Sequence, residues 1–239
     1  MEFTAVVVTF NRLKCLKNAL DSFENQIKKP SNIIVVNNAS NDGTFEYLED
    51  WKNENSEINK IVVHKDENSG GSGGFYEGLK VAKDMDAEWI WLSDDDAYPK
   101  NDVFKLAEDY IENNDTSDIS AICSKIINNG EIDTWHRRRM SKGLIKIRWE
   151  NVPEKDYDDC FELDLLSYVG CIIKKEKLLK AGLTNKDYFI WYDDSEHSIR
   201  LRKEGRIVCV PEIVTIHNVK ADREINWKYY YAIRNYNDM

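Results

Sequence analysis

Four short apolar runs, separated by amphipathic segments, decide what this chain can fold into. Phe3 to Phe10 carries Ala5-Val6-Val7-Val8 at its centre, Ile33 to Val36 is wholly aliphatic, Lys60 to His64 is short, and Trp89 to Leu92 is the last. Runs of this length without polar alternation read as strands buried on both faces. Between the first two, Leu13, Leu16, Leu20, Phe23 and Ile27 recur at three and four residues, the stripe of an amphipathic helix, with Pro30 closing the unit. Further helices are expected from about Phe45 to Glu54 and from Phe75 to about Met85. The order βαβαβαβ with short connections predicts a parallel, right-handed, doubly wound sheet.

Ligands of such sheets sit outside the carboxyl ends of the strands. Each polar cluster here follows a strand: Thr9 to Arg12, Asn37 to Asp42, Asn68 to Gly74, and Asp94 to Asp96. Together they read as the rim of one pocket, although loops are polar in any case. Asp94, Asp95 and Asp96 repel one another by roughly 1 kcal/mol per pair at 4 Å in water, and by more near a protein surface. Side chains i and i+2 of an extended chain share a face, so Asp94 and Asp96 could close on Mg²⁺ or Mn²⁺. The alternative is a solvated acidic turn. The glycine run lacks the spacing and position of a nicotinamide-binding loop. It reads as a stretch that lets backbone, at Gly70 and Gly71, approach a ligand closely.

The second half departs from the alternation. Strands are expected at Ile119 to Ile127, Gly143 to Trp149, Leu165 to Ile173 and Arg206 to Val214, the last reaching His217, with a hairpin turn at Asn128-Asn129-Gly130. Trp135 to Arg139 reads as a solvated loop, or else as a hold for an anionic acceptor or lipid phosphate. The acidic Asp156 to Asp164 reads as surface. Lys174 to Lys180 and His197 to Glu204 are expected helices, and the acids Asp193, Asp194 and Glu196 stand where they would favour the N-terminus of the second.

A net charge of −10 argues against nucleic-acid partners. Five cysteines without paired spacing read as reduced thiols of a cytoplasmic protein. No stretch approaches the ~20 apolar residues of a membrane span. The chain stops inside a helical-looking aromatic segment, which reads as C-terminal truncation.

Taken in order, Thr9-Phe10-Asn11-Arg12, Asn38 to Thr44, Asp94-Asp95-Asp96, Asp193 to Glu196 with Leu201-Arg202, and Tyr230 to Asn235 resemble the inverting nucleotide-sugar glycosyltransferases of family 2. The glycine run with Trp191-Tyr192-Asp193-Asp194 looks most like the galactofuranosyltransferase branch, whose donor is UDP-galactofuranose, with dTDP-rhamnose-dependent rhamnosyltransferases sharing much of it. The resemblance implies an α/β fold of GT-A type, a doubly wound, mostly parallel sheet with an added mixed β region on the acceptor side. Residues 1–98 would bind the nucleotide sugar and residues 99–239 the acceptor. It implies donor contacts from Thr9, Asn11, Arg12, Asn38, Gly70, Gly71 and Asp95, and a Mn²⁺ or Mg²⁺ ion on Asp94, Asp96 and His217. Asp194 would be the general base, with Trp191 and Asp193 placing the acceptor. The implied partners are a nucleotide-sugar donor and a glycan or lipid-linked glycan, with peripheral association with the cytoplasmic face of the membrane. A nucleotide-sugar-binding subunit without activity of its own is the rival expectation.

Overall fold

The computed structural model describes residues 1–142, 147–218 and 226–239. Elements follow in the order Phe3–Thr9 (β1), Leu13–Glu24 (α1), Asn32–Asn37 (β2), Thr44–Asn53 (α2), Asn59–His64 (β3), Gly70–Ala82 (α3), Trp89–Asp94 (β4), Tyr98–Pro99 (β5) and Val103–Asn113 (α4). The remainder comprises Ile119–Asn128 (β6), Glu131–Ile132 (β7), Arg137–Lys142 (β8), Ile147–Asn151 (β9), Phe161–Leu163 (β10), Leu165–Leu166 (β11), Cys171–Lys174 (β12), Lys175–Ala181 (α5), Asp193–Glu204 (α6), Arg206–Ile216 (β13) and Lys228–Asp238 (α7).

The main sheet runs β10-β13-β6-β12-β4-β1-β2-β3, and the last four of these strands are parallel. Strand side chains alternate between faces, and the core divides accordingly. Phe3, Ala5 and Val7 pack with Leu16, Leu20 and Phe23 of α1, Leu48 and Trp51 of α2 and Phe104 of α4. Val6 and Val8 pack with Phe75 and Leu79 of α3, Leu178 of α5 and Leu201 of α6. Helices therefore cover both faces, as the alternation predicts. Full burial of a Leu or Phe side chain is worth about 1.5–3 kcal/mol, so these two layers carry the fold. Helix α1 stops at Glu24, which leaves Ile27 outside the stripe and 69% exposed.

Several sequence expectations are corrected. The glycine run is not a loop: Gly70 to Gly74 form the start of α3. A Cβ at Gly74 would stand 2.4 Å from Val8 Cγ1, and one at Gly70, where φ is +72°, would stand 1.9 Å from the Phe189 carbonyl oxygen. The close approach is to the protein's own chain. Leu165 to Ile173 is not one strand, because Ser167 to Gly170 turn away at Gly170, φ +64°, between β11 and β12. Trp135 to Arg139 is not a solvated loop. Arg137 and His136 are buried, and β8 is the middle strand of a second, antiparallel sheet, β11-β8-β9. The acidic segment is not wholly surface, since Tyr157, Phe161 and Leu163 are buried. Helix α6 begins at Asp193, four residues before its expected start. Of the strand expected from Gly143, residues 143–146 lie outside the described residues. The hairpin at Asn129 and Gly130, both at positive φ, joins β6 to β7 as expected.

Candidate active site

Strands β1 and β4 lie side by side, with Val8 paired to Asp94, so the end of β1 and the three aspartates meet. Thr9 Oγ1 donates to Asp95 Oδ2 at 2.6 Å, and Arg12 Nη1 donates to Asp95 Oδ1 at 3.3 Å and also to Asp96. Asp95 is thus buried against β1, while Arg12 keeps about half its side chain in solvent. From the far half, β13 shifts register between Val210 and Val214, accommodating Pro211, which cannot donate to a ladder. It then brings His217 Nε2 to 3.3 Å from Asp96 Oδ1. The other ring nitrogen, Nδ1, is buried without a partner, and the His136 ring packs edge-on at 5.2 Å.

Burial pushes the Asp94 carboxyl from 3.8 up to about 7, with the charge of Asp96 adding to it and those of His217 and Arg12 opposing. Burial likewise raises Asp95 to about 6, against Thr9 and Arg12. For Asp96, burial is outweighed by His217 and Arg12, and its carboxyl stays below the ordinary range. Folded Asp94 holds its proton more tightly than unfolded Asp94. Its ionisation therefore costs stability progressively as pH rises from about 4 to about 7 and by a constant amount above that. Asp94→Asn is expected to raise the melting temperature at pH 8 without added divalent ion and to leave it unchanged at pH 4. Each kcal/mol recovered is worth about 2–4 °C in a chain of this size. Equal shifts at both pH values, measured by thermal denaturation, would refute this.

The expected nucleotide-side residues converge on the same rim. Asn11, at φ +53°, accepts from Asn41 N at 2.7 Å, and Asp42 accepts from Leu13 N at 2.9 Å, locking the loops after β1 and β2 together. Asn38 donates to Asn68 Oδ1 and Gly70 O, both at 2.9 Å, and accepts from the Ser69 amide and hydroxyl. Its side chain thereby ties β2 to the start of α3. A Cβ at Gly71 would meet nothing within 4 Å.

On the side expected to bind the acceptor, α6 opens with Asp193 and Asp194. Asp193 is buried, and burial with the charges of Asp194 and Asp94 holds its carboxyl well above the ordinary range. The two acidic clusters therefore lie within electrostatic range of each other. Asp194 is half-buried; burial raises it, opposed by Arg138 and by hydrogen bonds from Ser195. The segment leading in is strained: Phe189, Trp191 and Tyr192 all have positive φ, and Trp191 is 38% exposed. Such conformations cost of order 1–3 kcal/mol each and persist where surroundings enforce them. Ser72 N donates to Phe189 O from one side. From the other, buried Asn235 of α7 donates to the carbonyls of Tyr188, Ile190 and Trp191 at 2.8–3.1 Å.

Sequence reasoning missed Arg137, Arg138 and Ser195, and gave Asn235 no role beyond its motif. Consecutive basic residues on one strand must point to opposite faces, the one signal that separates Arg137 from Arg138.

The family description "Glycosyl transferase family 2" matches residues 4–173. The chain belongs to glycosyl transferase family 2. It is 36% identical over 95 residues to galactofuranosyltransferase GlfT1 of Mycolicibacterium smegmatis, a match covering 40% of this chain and 30% of that protein. The match thus spans less than a third of that relative's length. Among solved structures it resembles S. aureus TarS 1-349 in complex with UDP, with TM-score 0.68 and 20% identity over 92% of this chain and 61% of that one. It also resembles GalNAc-T7 with UDP, GalNAc and Mn²⁺, with TM-score 0.73 and 14% identity over 99% and 48%. These likenesses establish the fold of this family-2 chain as the expected GT-A type.

The donor set of Asp94, Asp96 and His217, two carboxylates and an imidazole, suits a divalent ion. His217 Nε2, which faces Asp96 at 3.3 Å, is the nitrogen placed to join those carboxylates. Among the described residues, no three His, Cys, Asp or Glu side chains stand close enough to hold one in the present geometry.

Proposed function

We propose that this chain catalyses inverting transfer of a sugar, galactofuranose from UDP-galactofuranose, to a hydroxyl of a glycan or lipid-linked glycan in surface-polysaccharide assembly on the cytoplasmic side. The observation that supports the reading is the convergence of Thr9, Arg12, Asp95, Asp96 and His217 at the ends of β1, β4 and β13, with Asp193 within electrostatic range of Asp94. The galactofuranosyl donor rests on the likeness to GlfT1. Among the described residues no helix is long and apolar enough to cross a membrane.

Residues 1–98 would hold the donor. Thr9, Asn11, Arg12 and Asp95 would line the diphosphate, Asn38 the base through the Asn68-to-Gly70 turn it secures, and Gly71 would admit the sugar nucleotide closely. Asp94, Asp96 and His217 would hold Mn²⁺ or Mg²⁺, which supplies stabilisation of charge on the departing diphosphate. In residues 99–239, Trp191 and Asp193 would place the acceptor. Asp194 takes the acceptor hydroxyl's proton as the oxygen attacks the anomeric carbon and the bond to UDP breaks. Attack opposite the leaving group inverts the centre.

Calorimetric titration with UDP and with dTDP, each with and without Mn²⁺, tests the reading. UDP is expected to bind at least tenfold more tightly than dTDP, and only with Mn²⁺. Preference for dTDP would move the donor to dTDP-rhamnose. No binding of either would overturn the site.

A further inference from the structure

The side chain of Asp194 is held on one oxygen. Ser195 N and Ser195 Oγ donate to Asp194 Oδ1 at 2.6 and 3.1 Å, and among the described residues Oδ2 accepts nothing. Ser195 Oγ in turn accepts from Arg138 Nη2 at 3.2 Å. Ser195 is fully buried, so this geometry is shielded from competing water. Arg138 is itself fixed. It lies on the middle strand of the small sheet, paired to Leu165 on one side and Asn151 on the other. Its guanidinium sits 5.6 Å from the Trp135 ring centre and 5.5 Å from that of Trp149. Trp149 is braced edge-on by Tyr192 and Tyr236.

We propose that Arg138 and Ser195 are positioning residues that orient Asp194 and favour its charged form, leaving Oδ2 to receive the acceptor's proton. The inference rests on the assignment of Asp194 as base. A base next to a fixed donor and a third orienting group is the general arrangement of activated side chains. A half-buried carboxylate also needs a nearby cation to stay charged at neutral pH. The groups facing Asp194 are Arg138 and Arg137 from β8, Tyr168 and Cys171 beside and on β12, and Tyr192 and Asp193 of its own segment. The two arginines are the only cations among them. Arg138 is the nearer in effect, and Arg137 is occupied by backbone carbonyls.

The test is a pH titration of the aspartate carboxyl ¹³C resonances in the full chain, with the Asp194 signal identified by its loss in Asp194→Asn. Arg138→Gln is expected to move the Asp194 midpoint upward by about one unit, the lower end of what an opposite charge within ~4–6 Å exerts. Arg138→Lys, which keeps the charge, is expected to move it by less than half as much, while kcat falls because the hydrogen bond from Nη2 to Ser195 is lost. UDP affinity is expected to stay within twofold in both. A purely structural role would lower the melting temperature without shifting the midpoint, and an unshifted midpoint in folded Arg138→Gln overturns the relay. Should Asp194→Asn retain transfer, the base assignment itself is wrong, which is a separate result from an unmoved titration.

Discussion

Asp194→Asn is expected to lower turnover by about 10²–10⁴-fold, the usual contribution of a general base, while leaving Mn²⁺-dependent UDP affinity within twofold. The amide keeps the shape of the carboxylate and still accepts from the Ser195 amide and hydroxyl, so packing at the start of α6 survives. What is lost is the lone pair able to take a proton. UDP binding is spared because Thr9, Arg12, Asp95 and the residues proposed to hold the metal lie at the ends of β1, β4 and β13, not on α6. Asp193 is the competing candidate, yet it is buried, and burial with the charges of Asp194 and Asp94 holds its carboxyl well above the ordinary range, which disfavours the ionised form a base needs. Paired assays of transfer and calorimetric UDP binding decide the matter. Retained transfer in Asp194→Asn with loss in Asp193→Asn would reverse the two roles.

Arg137→Met is expected to lower the free energy of unfolding by about 3 kcal/mol, a large share of the 5–15 kcal/mol of a typical domain. The guanidinium is wholly buried and, among the described residues, meets no carboxylate. It donates to the carbonyls of Ser124, His136, Val169 and Gly170 at 2.8–3.1 Å, with Ser167 at 3.4 Å. Replacing a buried ion pair by apolar residues can be neutral because both partners go. Here the acceptors are backbone and remain. His136 O and Gly170 O keep other donors, in Ser167 N and in Ser124 N and Oγ. The loss falls chiefly on Ser167 O and Val169 O, each costing about 1–3 kcal/mol when left unpaired. Relief of the desolvated cation offsets part of this. Urea denaturation gives the answer: an unchanged midpoint would mean that water enters and replaces the guanidinium.

The parallel strands and their helices were legible because burial on both faces writes itself as unbroken aliphatic runs, as in Ala5 to Val8 and Ile33 to Val36. The start of α3 was not, because glycine is a poor helix former and its reason for being there, contact with Val8 and Phe189, lies in other parts of the chain. Arg137 was misread for a similar reason. A charged residue flanked by charged residues looks solvated, and only the irregular turn at Ser167 to Gly170, some thirty residues on, explains it. In the candidate site, Thr9, Asp94 to Asp96 and His217 could be placed because each closes a strand. Ser195 and Arg138 could not, since one resembles an ordinary helix residue and the other sits on a strand whose partners are remote.

Helix α7 buries one residue, Asn235, and that residue's amide fastens three carbonyls, those of Tyr188, Ile190 and Trp191, in the strained approach to α6. Elements with so little buried surface open at the lowest free energy. Opening here would withdraw the amide and let Phe189, Trp191 and Tyr192 relax from positive φ, so the stored strain favours the same event. The ten-stranded sheet would be untouched. Tolerance of heat and denaturant is therefore twofold in this molecule: the core fixes how long the fold endures, and the docking of α7 through Arg234 and Asn235 fixes how long the approach to α6 keeps its shape.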